Sequence, residues 1–278
     1  MERIPFGVSR LDEMINGGAP RGSTVLLSGE LGAGAREFLY TSAVMNALAR
    51  ADEEIHELYY GDTEPASVLP SEVHYVSFTA GERDLTDEMN FVLDDELVET
   101  AVEAIEFANF SPEYFRTSRV PTDWYSTRTP SIGALGDRQD RQDVLNAVGD
   151  YLSEYGDDSL VLFDSVTDLV SAASDQMGWK DITLLMKGLK KASYEWGGLV
   201  LLLVNQETMS ETNLGRVMEA CDGTFSFSWE SGGSERSRTM FVQQFRGVLS
   251  RLEDEDIVRF ETELNDGGFD ISNVRKIR

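Results

Sequence analysis

Residues 26–38 read LLSGELGAGAREF, an apolar strand that continues into a glycine-rich turn and then into a helix-length segment. Phosphate-binding loops have the pattern Gly-x-x-x-x-Gly-Lys-[Ser/Thr], in which backbone N–H groups surround the phosphates, the lysine contacts them and the hydroxyl holds Mg²⁺. Gly29 and Gly34 have this spacing, but Ala35 stands at the lysine position and Arg36 at the hydroxyl position. The stretch therefore predicts the backbone of a nucleotide site that lacks its two most reactive side chains.

Apolar strands alternate with amphipathic, helix-length segments outward from this loop. Strands without polar interruption are buried on both faces, which is typical of a parallel sheet with helices packed on each side. After residue 222 the strands alternate apolar and polar residues instead, which indicates an antiparallel extension. We predict apolar strands at residues 24–28, 73–79, 160–164 and 199–205, helices at 36–50, 139–155 and 179–196, and alternating strands at 223–229, 238–246 and 256–262.

These elements predict one α/β domain over residues 1–278, with a mostly parallel sheet flanked by helices on both faces and antiparallel strands at the C-terminal end. Residues 80–136 fit this scheme poorly: we expect an acidic helix at 87–107 and then a long loop with aromatic and arginine side chains. Two interpretations of that loop stay open. It is either a surface excursion packed by its own aromatic residues, or a lid or docking loop over the nucleotide end of the sheet.

The formal net charge is −26 and the isoelectric point is near 4.3, and only five of the 24 basic residues are lysine. Such self-repulsion is tolerated where salt screens it, so the composition predicts a salt-loving, haloarchaeal cytoplasm, with an acidic mesophilic protein as the alternative. The charge argues against autonomous binding of nucleic acid.

The cysteine and histidine content and the hydropathy of the sequence exclude several kinds of site and segment. The single cysteine, Cys221, excludes an intrachain disulfide and is expected to be a small buried thiol. Two histidines and one cysteine make a metal cluster with nitrogen and sulfur ligands implausible. The longest apolar runs are strand-length and no signal pattern opens the chain, so we expect a cytoplasmic protein without a membrane span.

Three segments resemble one family, the KaiC-like domains of the RecA/RadA P-loop ATPase superfamily. Residues 159–169, SLVLFDSVTDL, resemble the family's Walker B strand, and residues 238–247 and 257–269 resemble its C-terminal hairpin. The segment at 4–34 resembles the opening of these domains through Gly7, Leu11, Asp12, Gly17, Gly18, Pro20, Arg21, Gly22 and Ser23.

The resemblance implies roles for individual residues. Asp164 would hold Mg²⁺ through water, Asn205 would sense the γ-phosphate, and Arg246 would reach a neighbouring subunit. The residues alone favour an Asp164 that caps the turn after its strand, and they fit a purely structural loop as well as a weak nucleotide site. The candidate nucleotide-binding residues are Gly29, Glu30, Gly32, Ala33, Gly34, Ala35, Arg36 and Asp164.

The sequence departs from the family at the positions that carry the chemistry. Besides the missing lysine and hydroxyl, the pair of glutamates that activates water in the family is replaced by Thr79 and Ala80, with Glu82 nearby. Loss of the lysine contact alone costs about 1.5–3 kcal/mol of binding. We therefore assign no catalytic residue, and expect binding of ATP and Mg²⁺ to be weak or absent.

These observations predict a regulatory or signalling protein, non-catalytic or barely catalytic, that acts through a partner protein or self-association and is gated by ATP if ATP binds. One alternative is an active ATPase with an atypical loop, in which Arg36 replaces the lysine and Glu82 the base. Another is a recombination-mediator-like RadA paralogue acting on DNA. A lysine face formed by Lys180, Lys187 and Lys191 is either a solvated helix face or a site for an acidic partner.

Overall fold

The computed structural model describes residues 2–125, 144–173, 177–232, 235–249, 252 and 257–276. In the described residues, six parallel strands form one side of its main sheet, and three antiparallel strands form the other. The parallel strands are β3 (Ser23–Gly29), β4 (Val73–Ser77), β5 (Ile105–Asn109), β6 (Leu160–Asp164), β7 (Leu199–Asn205) and β8 (Gly223–Gly232). The antiparallel strands are β9 (Glu235–Phe245), β10 (Ile257–Asn265) and β11 (Gly268–Lys276).

The strand order is β11-β10-β9-β8-β3-β7-β6-β4-β5, so the glycine-rich loop leaves a strand in the middle of the sheet. A separate two-stranded ribbon pairs β1 (Arg3–Ile4) with β2 (Ala19–Pro20). The helices are α1 (Ser9–Met14), α2 (Ala35–Ala51), α3 (Glu53–Tyr59), α4 (Glu82–Asn90), α5 (Asp95–Val102), α6 (Ser111–Tyr114), α7 (Val144–Tyr155), α8 (Val166–Ala173), α9 (Trp179–Trp196) and α10 (Glu211–Ala220). None of the described helices is long and apolar enough to cross a membrane.

The inner parallel strands β3, β4, β6 and β7 are buried along nearly their whole length because each face of the sheet packs into a separate hydrophobic core. Successive side chains of a strand point to opposite faces, so a strand with helices on both sides needs apolar residues at every position. In β7, Leu199, Leu201 and Leu203 belong to one core, and Val200, Leu202 and Val204 belong to the other. This arrangement confirms the predicted α/β fold with helices on both faces and antiparallel strands at the C-terminal end.

The prediction of one acidic helix over residues 87–107 is wrong. The segment contains the end of α4, the short helix α5 and the edge strand β5, which pairs in parallel with β4. The helix breaks because the side chain of Asp94 accepts a hydrogen bond from the N–H of Glu96 and so starts α5 as an N-cap. Residues 105–109 are thus part of the main sheet. The long loop predicted after residue 107 is described only to residue 125, and α6 lies within it. Its remainder, up to residue 136, and the first residues of the helix predicted at 139–155 lie outside the described residues.

A buried carboxylate holds the N-terminal segment of the chain in place. Asp12, on α1, is fully buried and accepts hydrogen bonds from the backbone N–H groups of Phe6 (2.9 Å) and Gly7 (3.0 Å) and from the hydroxyl of Tyr60 (3.0 Å). Burial raises the pKa of Asp12 to about 7, although these hydrogen bonds oppose the shift. Asp12 thus holds the N-terminal segment against α1 and the residue that follows α3.

We expect the Asp12→Asn variant to be less stable by about 2–4 kcal/mol, because an amide offers one acceptor oxygen where three donors converge. The pKa of Asp12 is higher in the folded state than in the unfolded chain, so folding takes up a proton between these values. Its contribution to stability is therefore full near pH 4 and falls as the pH rises to about 7. Denaturant unfolding of both proteins at a series of pH values measures the difference.

The exposed neighbour on the same helix offers a matched control, Glu13→Gln, which makes the same change in charge without touching the buried contacts. We expect this control to change stability by less than about 0.5 kcal/mol. A stability difference between wild type and Asp12→Asn that stays constant, or grows, as the pH rises from 4 to 7 would contradict this account of Asp12.

Candidate functional site

The site lies where three neighbouring strands end at the same edge of the sheet. Gly29 at the end of β3 pairs with Asn205 at the end of β7, and β6 ends beside them at Asp164. Carboxyl ends of parallel strands are the usual place for ligands in such sheets. A cavity of about 460 Å³ opens here between the glycine-rich loop, α4 and the strand ends.

Glycines shape the loop at its two ends. A Cβ atom on Gly29 would lie 2.7 Å from the Cβ atom of Ala35, so only glycine lets the strand and the first turn of α2 approach this closely. Gly34 has a φ of +111°, a left-handed conformation that glycine adopts without strain, and it packs against the ring of Phe269. The predicted turn from strand to helix is therefore present, and it needs glycine at both of its ends.

The hairpin of β8 and β9 holds the outer part of the loop. The side chain of Glu30 accepts a hydrogen bond from the N–H of Trp229 (3.1 Å), and the indole N–H of Trp229 donates to the carbonyl of Leu31 (3.0 Å). Arg238 donates to the carbonyl of Gly32 (3.0 Å) and stacks its guanidinium on Trp229, 5.0 Å from the ring centre. The conformation of the loop is thus coupled to the C-terminal part of the sheet.

An ion pair occupies the floor of the site. Arg36, on the first turn of α2, places its Nη2 atom 2.9 Å from Oδ1 of Asp164, and the hydroxyl of Tyr75 donates to Oδ2 of the same carboxylate at 2.9 Å. On its other side, Nη1 of Arg36 lies 3.7 Å from the carboxylate of Glu88, which also accepts a hydrogen bond from the hydroxyl of Tyr40. The arginine therefore lies between two carboxylates.

Burial and neighbouring charges shift the pKa values of the ion pair and of Tyr75. Burial raises the pKa of Asp164, and the charge of Arg36 and the hydrogen bond from Tyr75 oppose this shift. Burial lowers the pKa of Arg36, but the neighbouring Asp164, Tyr40, Tyr75 and Glu88 together raise it above its ordinary value, so the guanidinium stays protonated. Burial and the neighbouring Asp164 raise the pKa of Tyr75, which therefore remains a hydrogen-bond donor. Burial thus opposes the charge on both members of the ion pair, and the charge of each partner favours it.

The donor set does not fit a divalent cation. Both oxygens of Asp164 are engaged, and the hydroxyl that would be a second ligand is replaced by Arg36 itself. Among the residues that the structure describes, no group of three or more histidine, cysteine or carboxylate side chains is arranged to hold a metal ion. The carboxylate of Asp164, which we predicted to hold Mg²⁺ through water, thus already has the guanidinium of Arg36 as its cationic partner.

The other predicted residues have separate positions. Ala33 is buried, and Ala35 lines the cavity with its methyl group where a lysine would extend. Asn205 also lines the cavity, but its side-chain oxygen accepts a hydrogen bond from the N–H of Glu207 and so caps the short turn Gln206–Thr208. Its role as a sensor of the γ-phosphate stays a prediction.

Arg246 lies at the opposite edge of the sheet from the loop. It follows Phe245, which pairs with Gly223 at the start of β8, whereas the cavity lies beyond the ends of the parallel strands. Arg246 is exposed and donates its backbone N–H to the carbonyl of Asp222. Because this position is remote from the cavity of its own chain, only a role toward another subunit stays open as a prediction.

Sequence reasoning missed three residues that build the site: Tyr40, Tyr75 and Glu88. Each lies on a different element, and each contacts Arg36 or Asp164 directly or through one hydrogen bond. Glu82, the base suggested for an active enzyme, is exposed at the start of α4 and does not line the cavity. Glu88, about two turns further along α4, does line it.

The lysine face is largely paired within the chain. Lys187 lies 3.5 Å from Glu219, and Lys191 lies 3.0 Å from Glu195 one turn away on α9. Lys190 lies 2.8 Å from Asp222 and also donates to the carbonyl of Cys221, whose thiol is buried and has its pKa raised to about 12 by that burial. These contacts favour the solvated helix face over a dedicated site for an acidic partner.

Together, the sheet order, the helices on both faces and the position of the loop define the RecA-like α/β fold. The chain aligns over 98% of its length with 99% of a KaiC-like protein from the hyperthermophilic archaeon Pyrococcus horikoshii, at 17% identity and a TM-score of 0.62. It also aligns over its full length with the whole of the flagellar accessory protein FlaH from Methanocaldococcus jannaschii, at 16% identity and a TM-score of 0.60. No known family and no curated protein matches the sequence. At these identities the likeness confirms the predicted fold.

Proposed function

We propose that this chain is a RecA-like regulator that does not hydrolyse ATP and that acts by binding a partner protein. The observation that carries the proposal is the ion pair between Arg36 and Asp164. It replaces the arrangement of lysine, hydroxyl and metal-bearing carboxylate on which phosphoryl transfer by P-loop proteins depends.

Phosphoryl transfer is mainly positioning and stabilisation of charge on the phosphate oxygens, so each missing group has a cost. Without a lysine at position 35, a nucleotide loses a charge-assisted contact of about 1.5–3 kcal/mol. Glu88 lines the cavity, but its carboxylate accepts a hydrogen bond from Tyr40 and faces Arg36. Glu88 is therefore committed to contacts within the chain and does not orient water.

The charge of the cavity also disfavours a triphosphate. Among the described residues, its lining carries the carboxylates of Glu30, Glu37, Glu88 and Asp168 against one guanidinium, that of Arg36. Carboxylates that line one cavity repel the negative charge of a triphosphate, and walls of low dielectric strengthen this repulsion. We therefore expect ATP to bind weakly or not at all, which leaves partner binding as the main activity.

Two exposed apolar side chains at the mouth of the cavity support a partner surface there. Leu31, at the tip of the loop, is 67% exposed, and Phe91, at the end of α4, is 86% exposed. Aromatic residues of this kind are enriched where proteins bind one another. A protein with the same fold is named as a flagellar accessory protein, and we extend an accessory role of that general kind to this chain.

Restoring the loop with Ala35→Lys and Arg36→Thr tests the loss of catalysis. A lysine at position 35 keeps the Cβ atom of Ala35 and extends into the cavity that Ala35 lines. We expect the double variant to bind Mg-ATP at least about tenfold more tightly than wild type, because about 1.5–3 kcal/mol of contact is regained. Calorimetry and phosphate release, both in molar KCl to screen the net charge, measure binding and turnover.

The matched control adds Asp164→Asn to the restored loop; it keeps the lysine contact and should lose only the part of the gain that depends on Mg²⁺. In wild type we expect no phosphate release that depends on Asp164. Hydrolysis by the wild-type chain that Asp164→Asn abolishes would refute the proposal and make the protein an active ATPase with an atypical loop.

Photo-crosslinking in the native host tests the partner surface. A benzophenone amino acid is placed at Leu31 or Phe91, and at Leu58 of α3 as a control that is also 78% exposed. We expect the first two positions to give an adduct of the same additional mass and the control to give none. No adduct at either position, or the same adducts at all three, would count against a partner at the mouth of the cavity.

A further inference from the structure

We propose that the guanidinium of Arg36 permanently replaces the divalent metal ion on Asp164, so that any ligand of the cavity binds without magnesium. The inference deepens the proposed function, on which it rests for the identification of the cavity as a former nucleotide site. It concerns the chain's own residues, Arg36, Asp164, Tyr75 and Glu88.

The first argument is occupancy of the carboxylate. Nη2 of Arg36 is 2.9 Å from Oδ1 of Asp164, and the hydroxyl of Tyr75 is 2.9 Å from Oδ2. Asp164 itself is only 4% exposed. Mg²⁺ requires octahedral ligation at about 2.0–2.1 Å and usually keeps several of its waters. An aspartate with both oxygens engaged and almost no solvent access offers no place for a hydrated ion.

The second argument is that an arginine at position 36 both removes a metal ligand and supplies a positive charge. In the P-loop pattern the position of Arg36 carries the hydroxyl that ligates the metal. Arginine there removes this ligand and also brings a cation that is always charged onto the remaining one. A metal ion would have to displace the guanidinium or lie beside it against electrostatic repulsion.

The third argument is that the guanidinium is held from more than one side. Glu88 lies 3.7 Å from Nη1, on the face away from Asp164, and Tyr40 donates its hydroxyl to Glu88. The side chain is thus placed between carboxylates from β6 and α4. Displacing it would leave the buried carboxylate of Asp164 without its cation, which is costly.

Binding of Mn²⁺, followed by electron paramagnetic resonance in molar KCl, tests the inference directly. We expect wild type and Asp164→Asn to bind the same number of Mn²⁺ ions, since the acidic surface contributes equally to both. Arg36→Thr removes the cation and supplies a hydroxyl, so we expect it to gain one site per chain. The double variant Arg36→Thr with Asp164→Asn should lose that site.

A Mn²⁺ site in wild type that Asp164→Asn removes would overturn the inference. The comparison of wild type with Asp164→Asn decides the matter even if Arg36→Thr fails to fold. In a second arm, the affinity for ATP is measured by calorimetry with excess MgCl₂ and with EDTA. We expect the two values to agree within about twofold, and tightening by Mg²⁺ of tenfold or more would also overturn the inference.

The two proposals can fail separately. Turnover of ATP by wild type would refute the proposed function, whereas a metal site on Asp164 without turnover would refute only the replacement of the metal by Arg36. If ATP gives no heat with or without Mg²⁺, the comparison of Mn²⁺ binding between wild type and Asp164→Asn alone decides.

Discussion

The ion pair between Arg36 and Asp164 is the interaction on which the site depends, because it joins the first turn of α2 to the end of β6. A buried carboxylate without a cationic partner is costly, so Asp164 needs a positive charge beside it. Arg36 supplies that charge from the position that carries the metal-ligating hydroxyl in the P-loop pattern. Tyr75 and Glu88 then fit around the pair from β4 and α4. The ion pair thus joins α2, the sheet and α4 at one side of the cavity.

Much of the fold could be predicted from the sequence because its central strands are short, apolar and sharply bounded. The predicted limits of β6 and β7 agree with the structure, and so do those of α9, which ends where Gly197 adopts a left-handed conformation. The edge strands were harder. β5 and β11 are partly exposed and contain polar residues, so their sequences carry no strong periodicity, and the sheet alone defines them.

The site was predictable in its backbone and not in its contacts. The spacing of Gly29 and Gly34 located the loop because only certain backbone conformations allow that turn. The partner of Arg36 could not be predicted, since it depends on side-chain rotamers and on a residue 128 positions away on a strand two places along the sheet. Glu88 was hidden by the wrong helix boundaries over residues 87–107. Local sequence patterns determine elements, whereas this pocket is made by their packing.

A double-mutant cycle on the ion pair measures its strength most directly. The free energy of unfolding would be determined for wild type, Arg36→Met, Asp164→Asn and the double variant in the same buffer. Because the side chain of Arg36 is 48% exposed, solvent screens part of the attraction, and we expect a favourable coupling of about 1 kcal/mol. A coupling of this size would establish that the chain's own arginine neutralises Asp164. A coupling of zero within error would contradict that account and leave the carboxylate available to a metal ion.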